Sequence, residues 1–82
     1  MTEIQYNYSG GERMDKREQK AMIGNAISKK RQEQKLTQVQ VAELSGLSRN
    51  YISDIENGRY TPSVDALSRL AKCLNIDLNF LL

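Results

Sequence analysis

One local arrangement recurs four times between Leu36 and the chain end, and it dictates the secondary structure. A residue with a short oxygen-bearing side chain follows an apolar residue or proline and precedes, by four positions, another apolar residue. Thr37 stands between Leu36 and Val41, Ser48 between Leu47 and Ile52, Ser63 between Pro62 and Leu67, and Asp77 between Ile76 and Leu81. Such a side chain accepts from the free N–H groups of a first helical turn, and the apolar pair closes over that turn as a hydrophobic staple. Each cap contributes about 1 kcal/mol. Gln40 turns the first of them into a Thr-x-x-Gln capping box. Gly46, Gly58 and Asn75 stand where the helices begun at Thr37, Ser48 and Ser63 must stop, and these residue types enter the left-handed region at least cost. Upstream, a further helix runs from about Asp15 or Lys20 to Gln34, with Ile23, Ala26 and Ile27 on one face. Gly24 inside it costs about 1 kcal/mol relative to alanine. The chain reads as all-α and compact, with five helices.

At 82 residues there is room for one domain. Residues 1–14 read as an N-terminal tail and residues 15–82 as the domain, with a composition break at Ser9-Gly10-Gly11. In the tail Ile4, Tyr6 and Tyr8 alternate with Gln5 and Asn7, the pattern of a short strand with one apolar face. No second strand is present in the sequence to pair with it, which leaves a flexible or loosely docked segment, or an arm pairing with another subunit. No stretch approaches the roughly 18 apolar residues of a membrane span, and the start lacks the basic flank and apolar run of an export signal. A cytoplasmic protein is expected.

Catalysis is poorly supported. The sequence has no histidine and a single cysteine, Cys73, so the usual zinc spacings and imidazole acid–base chemistry are missing. Ser48, Ser53 and Ser63 have no base to activate them, and the carboxylates are accounted for as caps or ion-pair partners. No metal, cofactor or small-molecule ligand is expected.

Positive charge is concentrated in one segment: residues 13–35 carry eight basic against three acidic side chains, although the net charge is only +2. This is either a solvated helix face or a footprint on phosphate. The informative stretch for function is Gln38 to Asn57. It holds two short helices with about three residues between them, a connection that forces a steep crossing. At the contact Ala42 supplies the small side chain, Ile52 and Ile55 the branched ones, and Gly46 the positive φ of the turn. Val41, Leu44 and Leu47 are expected to complete the apolar face. The unit is a helix-turn-helix.

With these residues, and with Leu36-Thr37-Gln38, Tyr51-Ile52-Ser53, Ile55-Glu56-Asn57-Gly58, Pro62-Ser63, Leu70-Ala71 and Leu74-Asn75-Ile76-Asp77, the chain resembles the Cro and phage-repressor-type (XRE-like) helix-turn-helix family from about Ile23 to Leu82. The resemblance implies a five-helix lambda-repressor-like domain, with the helix-turn-helix at helices two and three. It also implies a regulator of transcription that binds double-stranded operator DNA as a twofold homodimer, most simply as a repressor. The N-terminal residues up to about Gln19 lie outside the pattern. A phage repressor, a restriction-modification controller and an antitoxin are all compatible with it, and an antagonist or toxin protein is a further possible partner. The alternative is a module of the same fold that acts mainly by binding a protein.

Helix three can be read on its own. At about 100° per residue Ile52, Ile55 and Tyr51 define its core side. Arg49, Asn50, Ser53, Asp54 and Asn57 fall on or beside the opposite face, with Ser48 at its start. Arginine can bind guanine O6 and N7, and asparagine adenine N6 and N7, through paired hydrogen bonds. Asp54 fits less well beside phosphates; it accepts from a cytosine, braces Arg49 or another basic residue, or sits outside the groove. Phosphate contacts are expected from Gln38 in the first turn of helix two, where the helix dipole favours an anion and the resemblance implies such a contact. Asn57 and Arg59 just past helix three, and Lys29, Lys30 and Lys35 along the duplex flank, are further candidates. The resemblance further implies a partly buried ion pair between Arg31 and Glu56. Leu67, Leu70, Ala71 and Leu74 form a core stripe on helix four, and Cys73 beside it is either packed or near a subunit contact. Leu78, Phe80 and Leu82 in the last helix are dimer candidates, while Phe80 and Leu81 can equally close the core.

Overall fold

The computed structural model describes residues 14–77. Within them lie four helices and no strand: α1 (Lys16–Glu33), α2 (Gln38–Ser45), α3 (Arg49–Glu56) and α4 (Val64–Leu74). Asp77, the expected cap of a fifth helix, is the last described residue. That helix, with Leu78, Phe80, Leu81 and Leu82, lies outside the described residues, as does the alternating segment at Ile4, Tyr6 and Tyr8.

The helix starts follow from their caps. Asp15 accepts from the Glu18 N–H at 2.8 Å and Glu18 accepts from the Asp15 N–H at 3.0 Å, so α1 opens on a complete capping box. Thr37 and Gln40 repeat that exchange at the start of α2, at 3.0 and 2.8 Å. Ser48 accepts from the Tyr51 N–H and Ser63 from the Ala66 N–H, each at 3.0 Å. Two of the ends use the expected left-handed residues, Gly46 at φ 78° and Asn75 at φ 58°, and Gly58 at φ 74° stands just past α3. The end of α1 differs. Lys35 takes φ 60° there, with Lys35 N–H donating to Gln32 O at 2.9 Å and Leu36 N–H to Arg31 O at 3.1 Å. This is the Schellman pattern, built on a lysine where glycine or asparagine is usual.

The core consists of Ile27, Val41, Ile52, Ile55, Leu67, Leu70 and Leu74. Burying each of these side chains contributes about 1.5–3 kcal/mol. The helices α1 and α2 each pack against both α3 and α4. Leu44 corrects the expected apolar face of α2, because it is 64% exposed. Val41 and Ser45 form the inward line of that short helix, and a residue three positions after Val41 is turned about 60° away from it.

Gly24 is explained by packing. A Cβ at this position would collide with the carbonyl oxygen of Ile55 and lie 2.9 Å from that of Glu56. The glycine lets α1 approach the last turn of α3, which fixes the helix-turn-helix against the long helix behind it.

Candidate nucleic-acid interface

The turn between α2 and α3 spans residues 46–48, and the two helices cross with Val41 and Ala42 against Ile52 and Ile55. Ile52 and Ile55 are completely buried, which fixes the rotation of α3 about its axis. Arg49, Asn50 and Asn57 are consequently exposed, with Ser53 and Asp54 half-buried beside them. Tyr51 is half-buried on the core side, and its hydroxyl accepts from the Ser63 N–H at 3.2 Å, tying α3 to the start of α4.

Within this surface the side chains differ in freedom. Among the described residues no carboxylate pairs with Arg49. Asp54 instead accepts from Arg59 Nη1 at 3.1 Å, so it braces Arg59 rather than Arg49. Asn57 folds its amide back onto Ser53, donating to the carbonyl at 2.8 Å and to Oγ at 3.4 Å. The Ser48 oxygen is engaged as the cap of α3, which leaves its O–H as a donor.

Behind the surface lies a polar hub. Arg31 Nε donates to Glu56 Oε2 at 2.8 Å and Nη2 to Glu56 Oε1 at 2.9 Å, a bidentate pair, while Nη1 donates to the Leu36 carbonyl at 2.8 Å. The two side chains are only 14% and 5% exposed. The hydrogen bonds to Glu56 push the Arg31 pKa above its ordinary value, against the opposing effect of burial. Gln38 joins the hub: its Nε2 donates to Glu56 Oε1 at 3.0 Å. The Gln38 side-chain amide is thus held inward. What Gln38 still presents outward is its main-chain N–H, which has no partner within α2 because it lies in the first turn.

Lys35 is exposed at the left-handed position of the α1–α2 turn. Lys29 and Lys30 lie elsewhere: they line an open groove of about 480 Å³ between α1 and Asn75–Asp77, and Lys30 approaches Glu33 at 3.9 Å. Cys73 packs against the core, and burial raises its thiol pKa, so it is no ready nucleophile. Among the described residues no three acid or thiol side chains converge as a metal site, and no helix is long and apolar enough to cross a membrane.

Several contacts that hold the site were missed in the sequence. Arg69 on α4 donates from Nη1 to the Ser45 carbonyl at 3.3 Å, satisfying the end of α2, whose last turn holds no basic residue. Gln34 donates to the Leu74 carbonyl at 2.6 Å and joins the ends of α1 and α4. Neither has a local signal, since each partner lies on another element. Gly24 did leave a trace, an isolated glycine in a helical pattern that costs about 1 kcal/mol relative to alanine.

The comparisons with known proteins agree with this geometry. The Helix-turn-helix family profile matches residues 27–81. The chain is 52% identical over 59 residues to the "ImmF control region 10 kDa protein" of Bacillus phage phi105, a match covering 72% of this chain and 66% of that protein. It is 47% identical over 57 residues to the "Immunity repressor protein" of the same phage, covering 70% of this chain and 40% of that one. The matches thus span about two thirds and two fifths of these relatives. Among solved structures, the restriction-modification controller protein C.AhdI from Aeromonas hydrophila is similar at a TM-score of 0.73 and 30% identity, covering 77% of this chain and 96% of that chain. This is a fold and family of DNA-binding regulators, not of enzymes. The buried crossing of α2 and α3, the outward face of α3 and these likenesses together place the chain in the helix-turn-helix family, among the Cro and phage-repressor-type regulators.

Proposed function

We propose that the protein is a dimeric transcriptional repressor that inserts α3 into the major groove of each half of a palindromic operator. The observation that carries this reading is the orientation of α3. Its buried isoleucines turn Arg49 and Asn50 outward, next to Ser53, Asp54 and Asn57. Arg49 and Asn50 read base edges. Ser48, the Gln38 main chain, Lys35, Asn57 and Arg59 surround them and contact phosphates, which set register rather than sequence. A homodimer built through Leu78, Phe80 and Leu82 places two such helices about 34 Å apart, one turn of DNA. Repression then acts by occupying a promoter in the cytoplasm. Regulation acts through abundance, dimerisation, an antagonist protein or the N-terminal tail. The name of one phage relative, an immunity repressor protein, supports the repressor role.

Selection of bound sequences from random duplexes tests the proposal, followed by titration of the winner at several salt concentrations with wild type and Arg49→Ala. The expected result is a palindromic winner, a steep salt slope, and a loss of about 1–3 kcal/mol in the variant. Absence of any enriched sequence, with weak binding indifferent to Arg49, rejects the proposal.

A further inference from the structure

The line along which α1 touches the end of α3 continues beyond it as a row of cations. Gly24, Ile27 and Arg31 face α3, its core and Glu56. One turn earlier the main chain of α1 rests on the turn after α3: a Cβ at Gly58 would lie 3.4 Å from the Ala21 Cα and 3.8 Å from the Lys20 carbonyl carbon. At about 100° per residue Lys16, Arg17 and Lys20 fall within the same arc of about 100° as Gly24, Ile27 and Arg31. The helix rises about 1.5 Å per residue, so Lys16 stands about 6 Å beyond Lys20. Its first turn, residues 16–19, is exposed throughout and extends beyond the contact with Gly58.

Charge on this end of α1 is sorted by side. Asp15 and Glu18 lie away from the cationic arc and are engaged with each other's main-chain N–H groups in the capping box. Among the described residues no ion pair involves Lys16, Arg17 or Lys20. Lys16 and Arg17 are exposed and Lys20 is half-buried. All three precede residue 27, where the family match begins.

Building on the proposed DNA-reading role, we infer that Lys16, Arg17 and Lys20 form a second anion-binding surface that grips duplex phosphates flanking the half-site, on the side of the Asn57–Arg59 turn. The occupant follows from charge and continuity. Arg59, a candidate phosphate contact, follows Gly58, against which Lys20 and Ala21 rest, and a row of three cations with no ion-pair partner among the described residues matches a regularly charged backbone. The contacts carry no sequence information. They lengthen the footprint and raise affinity uniformly.

The test compares the full chain with a Lys16→Gln/Arg17→Gln/Lys20→Gln variant on the wild-type selected operator, using duplexes with long and short flanks. Glutamine keeps helix propensity and removes charge. The expected result is an unchanged selected sequence, an affinity loss on the order of tenfold, and a salt slope shallower by about three per protomer. Shortening the flanks lowers wild-type affinity towards that of the variant and leaves the variant unaffected. A Lys16→Gln/Arg17→Gln variant, which spares the half-buried lysine, repeats the test with a slope change of about two if the triple variant loses helicity. An unchanged slope and flank dependence overturns the inference while the DNA-reading role stands. Wild type that binds no duplex at all removes both.

Discussion

Arg31 and Glu56 are joined by two parallel hydrogen bonds, 2.8 and 2.9 Å long, across the junction of α1 and α3. The same carboxylate takes Gln38 from α2, and the same guanidinium takes the Leu36 carbonyl from the connecting turn. One ion pair thereby links α1, the connecting turn, α2 and α3. At 5% side-chain exposure Glu56 is far from the solvent-screened pairs that contribute little.

Removing Glu56 strands a buried guanidinium and frees the Gln38 amide. Glu56→Ala is expected to destabilise the fold by about 3 kcal/mol. For a domain of this size that lowers the thermal midpoint by more than about 10 °C. Unfolding followed by circular dichroism checks it, and an unchanged midpoint shows that the pair carries no net stability.

Gly24→Ala separates local propensity from packing. Propensity alone predicts a gain of about 1 kcal/mol for alanine in a helix interior. The contact with the Ile55 and Glu56 carbonyls predicts a loss, because backbone atoms at the last turn of α3 must shift. Overpacking of this kind costs typically about 1–3 kcal/mol. A lowered midpoint in denaturant titration is the expected outcome; a raised one means that α1 does not approach α3 so closely.

These two sites mark how far the sequence could be read. The helix starts at Thr37, Ser48 and Ser63 and the core stripe of α4 were legible because each is written in residues within one or two turns. Arg31 with Glu56 was reached only through resemblance, since nothing local at either residue names a partner 25 positions away. Leu44 was misjudged because an eight-residue helix buries too narrow a line for every apolar residue to share. Gln38 is expected at the interface from its place in the first turn of α2, and its side chain turns inward to a carboxylate supplied by α3, a partner no local pattern names. The bracing of Arg59 by Asp54 was one of several readings the sequence left open, and only the three-dimensional turn after α3 selects it.

Lys35 combines a strained backbone with a candidate phosphate contact, and one substitution separates the two. A non-glycine residue in the left-handed region costs roughly 1–2 kcal/mol. Glycine relieves that and loses some of the gain to the greater freedom of the unfolded chain. Lys35→Gly is expected to stabilise the fold by about 0.5–1 kcal/mol while weakening DNA binding and making its salt slope shallower by about one. Calorimetry and a salt titration read the two effects separately.

Asp54 sets a brake on the same surface. Its carboxylate holds Arg59 at 3.1 Å, occupies one guanidinium N–H, and on the proposed function repels phosphate beside Arg49 and Asn50. The pair is largely open to solvent, with the Arg59 side chain 61% exposed, so breaking it changes stability by at most about 1 kcal/mol. Asp54→Ala keeps a good helix former in α3 and releases Arg59. The expected outcome is a nearly unchanged thermal midpoint, tighter binding to unselected duplex DNA, and a salt slope steeper by up to about one per protomer. Binding to the selected operator separates the two roles of the carboxylate. A uniform gain across sequences identifies Asp54 as a restraint on Arg59, whereas a loss confined to one base pair shows that it accepts from a cytosine amino group in the major groove.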